Sequence, residues 1–183
     1  MKKCILIFAL VLGLSMTASA QQRSGHVSFQ EIVYLTSDMD SATVVLEKYG
    51  KELNDMFTSM QQEYQNKLAD YQALSANWTQ TVLEAKVREL QDAESRLQSF
   101  QQSAYQDMQN KQNQLFAPIY KKVSDAIQKV AKANGLVYVF DTSAQGLLFV
   151  DEVASMDLTV PLKNELNIPL DKALPTQQMQ QAQ

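Results

Sequence analysis

The feature that most constrains the fold is a stretch of 67 residues, 51–117, that contains no glycine and no proline. It is rich in Gln, Glu, Lys, Leu and Ala, which all favour helix. As one straight helix it would extend roughly 100 Å and would hold the segments on either side of it far apart. If it folds back on itself, the flanking segments meet and build one small body. A thin arm on a small body leaves little room for a buried active site.

The first twenty residues have the features of a secretory signal peptide. Lys2 and Lys3 form a basic start, residues 5–14 are almost continuously apolar, and residues 18–20 (ASA) fit the cleavage pattern. The apolar run is too short for a membrane span. We therefore predict cleavage after residue 20. The mature chain then contains no cysteine, because Cys4 is the single cysteine of the sequence, and it depends on packing or oligomerisation for stability.

Charge and motifs exclude several classes of function. Without Lys2 and Lys3 the formal net charge becomes −6, which argues against a nucleic acid partner and against adhesion to an anionic membrane surface. No nucleophile, phosphate-loop or metal-ligand motif is present, so we predict no enzyme, cofactor or metal site. The single histidine, His26, has no partner of ligand type nearby in sequence. The carboxylates at Glu89, Asp92 and Glu94 have the pattern of a solvated helix face.

Apolar residues at steps of three and four predict two antiparallel helices with a reversal at residues 75–77, directly before Trp78. Gly50 lies inside the first helix, where it costs about 1 kcal/mol relative to Ala. Pro118 lies inside the second, where proline removes a backbone hydrogen bond. We predict that both positions act as hinges of the arm.

The segments that flank the arm predict a small β body. Residues 25–29 and 136–140 have the composition of strands, and residues 147–150 are predicted to complete a hairpin with the second. A short helix capped by Asp157 or Thr159 follows, and residues 169–183 are predicted to form a disordered tail. Both faces of the strand at 136–140 are apolar, so we expect helices on one face and a partner subunit on the other. The predicted body core and oligomer contacts are Val27, Phe29, Val137, Val139, Phe140, Leu148 and Phe149.

The order of these segments resembles the Skp (OmpH-like) family of periplasmic chaperones. The resemblance is carried by VSFQEIV at 27–33, the run from APIYKK to VYVFD at 117–141, GLLFVD at 146–151 and DLTVPLKNELNI at 157–168. It implies an α+β fold in which three subunits form a trimeric β body and each adds a long antiparallel helical-hairpin (coiled-coil) arm. One OmpH-like domain would cover residues 25–168, with body segments 25–40 and 118–168 and the arm at 41–117.

The resemblance also implies a function. It indicates an ATP-independent periplasmic holdase, a homotrimer that binds unfolded outer-membrane β-barrel proteins between its arms and prevents their aggregation, without a cofactor or stable membrane insertion. The alternative is a coiled-coil adaptor that binds one specific envelope protein. The best-known family members have basic arms, whereas residues 38–78 carry three basic and seven acidic residues here, and residues 79–110 carry three and five. Steering of clients by basic arm tips is therefore not expected.

Two groups of side chains are candidates for client contact. The first is apolar and lies on the arm, where the same residues can instead seal the two helices together: Met56, Phe57, Met60, Tyr64, Tyr71, Trp78, Phe100, Tyr105 and Met108. Tyr105 lies off the apolar stripe, and Trp78 can either grip clients or pack the tip. The second is a basic neck, which is either a solvated face or a client or lipid contact: Lys111, Lys121, Lys122, Lys129 and Lys132.

Overall fold

The computed structural model describes residues 23–144 and 146–174, and in them the protein is mostly helical with one small sheet. The predicted signal peptide and residues 175–183 of the predicted tail lie outside the described residues. The elements in chain order are β1 (Ser24–Val27), α1 (Phe29–Leu35), α2 (Ser37–Leu74), a single 3₁₀ turn (Ser75–Asn77), α3 (Gln80–Ala133), β2 (Tyr138–Asp141), β3 (Ser155–Asp157) and α4 (Thr159–Glu165).

The sheet brings the two flanks of the long helices together. Its order is β2-β1-β3, both pairings are parallel, and Ser24 of β1 lies opposite Tyr138 on one side and Ser155 on the other. The N-terminal strand is therefore the central one. Because β2 follows α3 directly and must pair with β1, the helical stretch has to return to the body from which it started.

The predicted hairpin between residues 136–140 and 147–150 is wrong. Residues 147–150 belong to no strand, and the third strand is Ser155–Asp157, which pairs with β1 rather than with β2. Apolar and β-branched composition favours a strand, but it does not decide whether backbone pairing forms. Within residues 23–144 and 146–174 the outer edge of β2 stays unpaired. A turn held by the Asp151 carboxylate, which accepts hydrogen bonds from the N–H groups of Val153 and Ala154, precedes β3.

The core of the body lies on one face of the sheet. It is formed by α1, the C-terminal half of α3 and the region of α4, with Val27, Ile32, Leu35, Val123, Val130, Leu158 and Leu162 among its buried residues. Val139 packs against this core, whereas Tyr138 and Phe140 are exposed. Leu136 belongs to the predicted strand at 136–140, but it precedes β2 and packs against the core.

The first helix begins at a residue that the sequence assigns to a strand. Phe29 was expected to end a strand, but it is the first residue of α1. The Ser28 hydroxyl accepts a hydrogen bond from the Glu31 N–H at 3.2 Å, and the Asp141 carboxylate accepts one from the Phe29 N–H at 3.0 Å. These two acceptors satisfy the free N–H groups of the first turn and so start the helix at Phe29. The Phe29 ring still packs at the edge of the core, 6.1 Å from the ring of Tyr120.

The C-terminal region is more ordered than predicted. Thr159 does not cap α4 but is its first residue, and the Asp157 carboxylate accepts the Thr159 N–H at 2.8 Å. Residues 169–174 belong to the predicted disordered tail, yet they make specific contacts. Lys172 pairs with Asp40, and Leu174 packs against the core. The prediction of disorder is therefore wrong for these six residues, because their partners are distant in sequence.

Asp141 connects β2 to α1, and its substitution should measure the strength of that connection. Burial raises the pKa of this carboxyl. Hydrogen bonds from Ser143 and from the Phe29 N–H lower the pKa by more than burial raises it, so that it lies below its usual range. We expect Asp141→Asn to reduce the free energy of unfolding at pH 7 by about 1 kcal/mol. Urea unfolding at fixed protein concentration measures this difference.

The pH dependence of the free energy of unfolding provides a second test with Asp141→Asn. Because the pKa is lower in the folded state, the stabilisation is present above the pKa of the unfolded carboxyl, about 4, and is lost as the pH falls through the folded value. The difference between wild type and Asp141→Asn should therefore shrink at pH 3. Asp107→Asn, at an exposed position of α3, is the control and should change stability little. An Asp141→Asn variant as stable as this control at pH 7 would contradict the prediction.

Candidate functional site

The two long helices pack side by side in opposite directions. Contacts between them run from Asp38 and Lys122 near the body, through Gly50 and Met108, to Lys67 and Glu89 farther out. Residue numbers rise along one helix as they fall along the other, so the packing is antiparallel. We call α2 together with residues 80–117 of α3 the helix pair. With 38 residues, α2 alone extends about 57 Å.

The nine apolar candidates on the helix pair fall into two groups. Seven of them are half-buried, as residues that seal the two helices together should be: Phe57, Met60, Tyr64, Tyr71, Trp78, Phe100 and Met108. Phe57 and Phe100 line one shallow groove together with Leu53 and Ala104. The other two, Met56 and Tyr105, are 57 % and 69 % exposed. Their side chains are therefore available to a ligand without any opening of the helix pair.

The reversal between the helices lies at Ser75–Asn77, at the predicted position. Trp78 follows it and packs its indole against the Tyr71 ring, with 6.0 Å between the ring centroids. The backbone N–H of Trp78 donates to the Ser75 carbonyl at 3.2 Å. This arrangement supports packing of the tip as one role of the indole, and its use in binding stays a prediction.

The two predicted hinges both lie within unbroken helices. Gly50 is inside α2, and a Cβ atom built there would come within 3.0 Å of the Met108 Cε. The absence of a side chain therefore lets α3 approach α2 closely at this level. Pro118 is inside α3, which continues through it from Gln80 to Ala133. The missing N–H deprives the carbonyl four residues earlier of its usual donor. Hinge motion at either position stays a prediction.

Acidic side chains dominate the surface of the helix pair. Ion pairs engage Lys67 with both Glu63 and Glu89, and Arg96 with Glu63. A hydrogen bond from Lys86 is the main cause that lowers the pKa of Glu89. Seven carboxylates of the pair have no ion-pair partner within the described residues: Glu47, Asp55, Asp70, Glu84, Asp92, Glu94 and Asp107. The surface that a ligand meets along the pair is therefore net negative.

The basic neck is less cationic than its sequence indicates. Carboxylates pair with three of its lysines, in the contacts Lys121–Asp125, Lys122–Asp38 and Lys129–Glu165. The ammonium of Lys111 lies 5.7 Å from the centroid of the Tyr49 ring. Lys132 lies in the last turn of α3, where a cation suits the helix dipole. Sequence reasoning could pair Lys121 with Asp125 at a spacing of four, but the other two partners come from distant segments.

A groove lies where the helix pair joins the body. Its volume is about 370 Å³ and its lining is mostly apolar, with Ala42 and Val45 from α2 facing Leu115 and Ile119 from α3. The ion pair between Asp38 and Lys122 borders it. We call this the basal groove. The sequence does not predict the basal groove, because its two walls are formed by residues 38–45 and 115–122, which are far apart in the chain.

The body exposes a cluster of large apolar residues. Tyr138 and Phe140 lie on the open face of the sheet with 6.3 Å between their ring centroids. In the loop that follows, Leu148, Phe149 and Val153 are 97 %, 80 % and 98 % exposed. Of the predicted body and oligomer residues, Val27 and Val139 instead face the core, and Val137 is exposed. Exposed apolar residues in such number are typical of an interaction surface.

Within residues 23–144 and 146–174, no group of three or more His, Cys, Asp and Glu side chains has an arrangement that could hold a metal ion. The Nδ1 of His26 lies 3.0 Å from the Ser155 hydroxyl, so this side chain joins β1 to β3. None of the helices in that same part of the chain is both long enough and apolar enough to cross a membrane.

Comparison with known proteins agrees with the sequence resemblance. The family model described as "Outer membrane protein (OmpH-like)" matches residues 23–166. A crystal structure of a candidate outer membrane chaperone (OmpH-like) from Caulobacter crescentus CB15 has a similar fold, with a TM-score of 0.67 and 16 % sequence identity. The similarity covers 85 % of this chain and 92 % of the Caulobacter chain. No curated protein matches significantly by sequence.

The packing at Gly50 predicts how an added side chain is tolerated there. We expect Gly50→Ala to raise the free energy of unfolding by about 0.5–1 kcal/mol, because alanine favours helix and the end of the Met108 side chain can move aside. Gly25→Ala is the contrast. Its Cβ would lie 2.7 Å from the Leu136 Cδ1 and 3.1 Å from the Met156 carbonyl oxygen, so a loss of about 1–3 kcal/mol is expected.

Urea unfolding of the wild type, Gly50→Ala and Gly25→Ala measures these changes in the free energy of unfolding. Loss of stability in Gly50→Ala would contradict the prediction and would show that Met108 is fixed in place. Gly50→Ala also tests the predicted hinge at this position, because alanine reduces the backbone freedom that a hinge requires.

Proposed function

Because this chain belongs to the OmpH-like family of outer membrane proteins, we propose that it is an ATP-independent holdase chaperone of the periplasm. Its clients would be unfolded outer-membrane β-barrel proteins. The observation that carries the proposal is the shape of the candidate site. A helix pair with a long exposed surface projects from a small body, and its exposed apolar residues are scattered rather than gathered in an enclosed pocket. Such a surface suits a ligand that is itself extended and variable.

The proposed assembly is a homotrimer formed through the body. One face of the sheet is covered by the core and the other exposes Tyr138 and Phe140, while the loop between β2 and β3 exposes Leu148, Phe149 and Val153. Apolar side chains this exposed are costly in water, and burial between subunits removes that cost. Three helix pairs that project from one such body would enclose a cavity, which would hold a client and keep it apart from other unfolded chains.

The proposed mode of binding is a sum of many weak contacts. Met56 and Tyr105 offer exposed apolar surface on the two helices, and methionine adapts to varied partners because its side chain is flexible and polarizable. Between such residues the surface is rich in glutamine and carboxylates. A lining of this kind gives no single site strong enough to fix a client in one conformation. The client would thus stay unfolded and able to leave.

Charge would contribute differently here than in a chaperone with basic arms. The helix pair carries seven carboxylates without ion-pair partners among the described residues, and three lysines of the basic neck are paired. Attraction of acidic clients by the pair is therefore not part of the proposal. Apolar contact is the main attraction that we assign to it, so that client binding should survive moderate salt.

The test of the proposed function is suppression of aggregation. An unfolded outer-membrane β-barrel protein is diluted from urea while light scattering is recorded with and without purified residues 21–183. We expect suppression at about one trimer per client. Met56→Ala with Tyr105→Ala should raise the concentration required by about threefold or more, because exposed apolar contact area is lost. Gln61→Ala with Gln102→Ala, at exposed polar positions, is the matched control.

Two outcomes would count against the proposal. Unchanged aggregation with the wild-type protein would exclude the holdase and favour an adaptor that binds a folded envelope protein. Normal suppression by the Met56 and Tyr105 double variant would keep the holdase but would exclude these two residues as client contacts.

The proposed trimer is tested separately by mass. Multi-angle light scattering should give three chains per particle for the wild type, and Phe149→Glu should shift the mass to one chain. Phe149 is so exposed within one subunit that glutamate should leave the subunit folded. Val82→Glu, at an exposed apolar position on the helix pair, is the control and should remain trimeric. A monomeric wild type, or a trimeric Phe149→Glu variant, would contradict the proposed interface.

A further inference from the structure

We propose that residues 168–174 form a strap that fastens the first turn of α2 to the body and thereby keeps the basal groove narrow. This inference rests on the contacts within one subunit and does not depend on the proposed function. We call these residues the C-terminal strap. The first turn of α2 begins at Ser37 and contains both Asp38 and Asp40.

The C-terminal strap leaves α4 through a tight turn. Asn167 has a φ of 56°, in the left-handed region, and the Ile168 N–H donates to the Lys163 carbonyl at 2.7 Å. Ile168 itself is buried in the core, and the Lys172 N–H donates to the Pro169 carbonyl at 3.1 Å. Leu174 packs against the core at the other end. The strap is thus held at both ends by apolar contacts.

A buried ammonium holds the middle of the strap. Lys163 of α4 is only 8 % exposed, and no carboxylate of the described residues pairs with it. Its Nζ donates instead to the carbonyl of Leu170 at 3.1 Å and to the carbonyl of Lys172 at 2.8 Å. A buried ammonium is costly unless its hydrogen bonds are satisfied. Because both acceptors belong to the strap, the buried position of Lys163 and the position of the strap depend on each other.

The strap then reaches the helix pair through one ion pair. The Lys172 Nζ lies 2.5 Å from the Asp40 carboxylate, and the Lys122 Nζ of α3 lies 2.5 Å from the Asp38 carboxylate. The first turn of α2 is therefore held by one lysine from the strap and one from α3. This matters because α2 buries only Met39 and Ala42, whereas α3 continues into the core of the body. Of the two long helices, α2 has the weaker attachment.

The basal groove lies directly beside this attachment. Asp38, Ser41 and Ala42 of α2 form one wall, and Leu115 and Ile119 of α3 form the other. If the strap were released, the first turn of α2 could move away from α3 and expose this apolar lining. Both ion pairs are at the surface, so salt screens them and should weaken the hold.

Hydrogen exchange measured by mass spectrometry tests the strap in the full mature chain. Lys163→Met keeps the unbranched apolar part of the side chain but removes the ammonium that donates to the Leu170 and Lys172 carbonyls. We expect exchange in residues 37–42 and 168–174 to become at least about tenfold faster, while residues 119–130 of α3 stay protected. Lys129→Met is the control. It removes the Lys129–Glu165 ion pair at the surface near α4 and should leave residues 37–42 unchanged.

Lys172→Met is a second test in case Lys163→Met fails to fold. Lys172 is nearer the surface than Lys163, and the substitution removes only the ion pair with Asp40. It should speed exchange in residues 37–42, and added salt should reduce the difference from the wild type. Unchanged exchange in residues 37–42 in a folded Lys163→Met protein, or in Lys172→Met at low salt, would overturn the proposal. Faster exchange throughout α3 would do so as well, since it would indicate general loss of stability rather than release of the strap.

Discussion

The parallel pairing of β1 with two strands that follow it much later in the chain is the constraint on which the rest of the structure depends. The four residues of β1 pair with Tyr138–Asp141 on one side, and three of them pair with Ser155–Asp157 on the other. Everything between β1 and β2 must leave the body and return to it. Gly25 lets the three strands pair without crowding, since a Cβ there would lie 2.7 Å from the Leu136 Cδ1 and 3.1 Å from the Met156 carbonyl oxygen. The antiparallel course of the long helices follows from this closure.

The same closure explains why α3 has two different environments. Its N-terminal part, residues 80–117, packs along α2, and its apolar side chains are mostly half-buried. Its C-terminal part packs against α1 and α4, and Ile119, Val123, Ala126 and Val130 are buried. One continuous helix thus serves as both a wall of the helix pair and a piece of the core. The helix pair is therefore joined to the body through the continuous α3, whereas α2 buries only Met39 and Ala42, near its start.

Features with a local cause could be predicted from the sequence, and features with a distant cause could not. Apolar periodicity predicted the long helices, and Ser75 with Asn77 predicted the reversal, because both signals act within a few residues. Residues 147–150 have the composition of a strand, yet in the described part of the chain they leave the outer edge of β2 unpaired, because composition alone does not set strand pairing. The ordered part of the C-terminus depends on Lys163 and Asp40, and the neutralised neck depends on Asp38 and Glu165. The local sequence pattern indicates none of these partners.

The exposed apolar residues of this chain have two kinds of distribution, and the difference bears on what each can bind. On the body, Tyr138 and Phe140 lie together on the open face of the sheet, near a loop that exposes Leu148 and Phe149. Adjacent residues of this size can be covered together by one complementary partner, which favours a lasting contact. On the helix pair, Met56 and Tyr105 are exposed singly, one on each helix. Isolated residues of this kind gain little from any one contact, so their partners can exchange. The proposed homotrimer, which would assemble through its body and bind clients transiently, would require both distributions, and it would require them on separate surfaces.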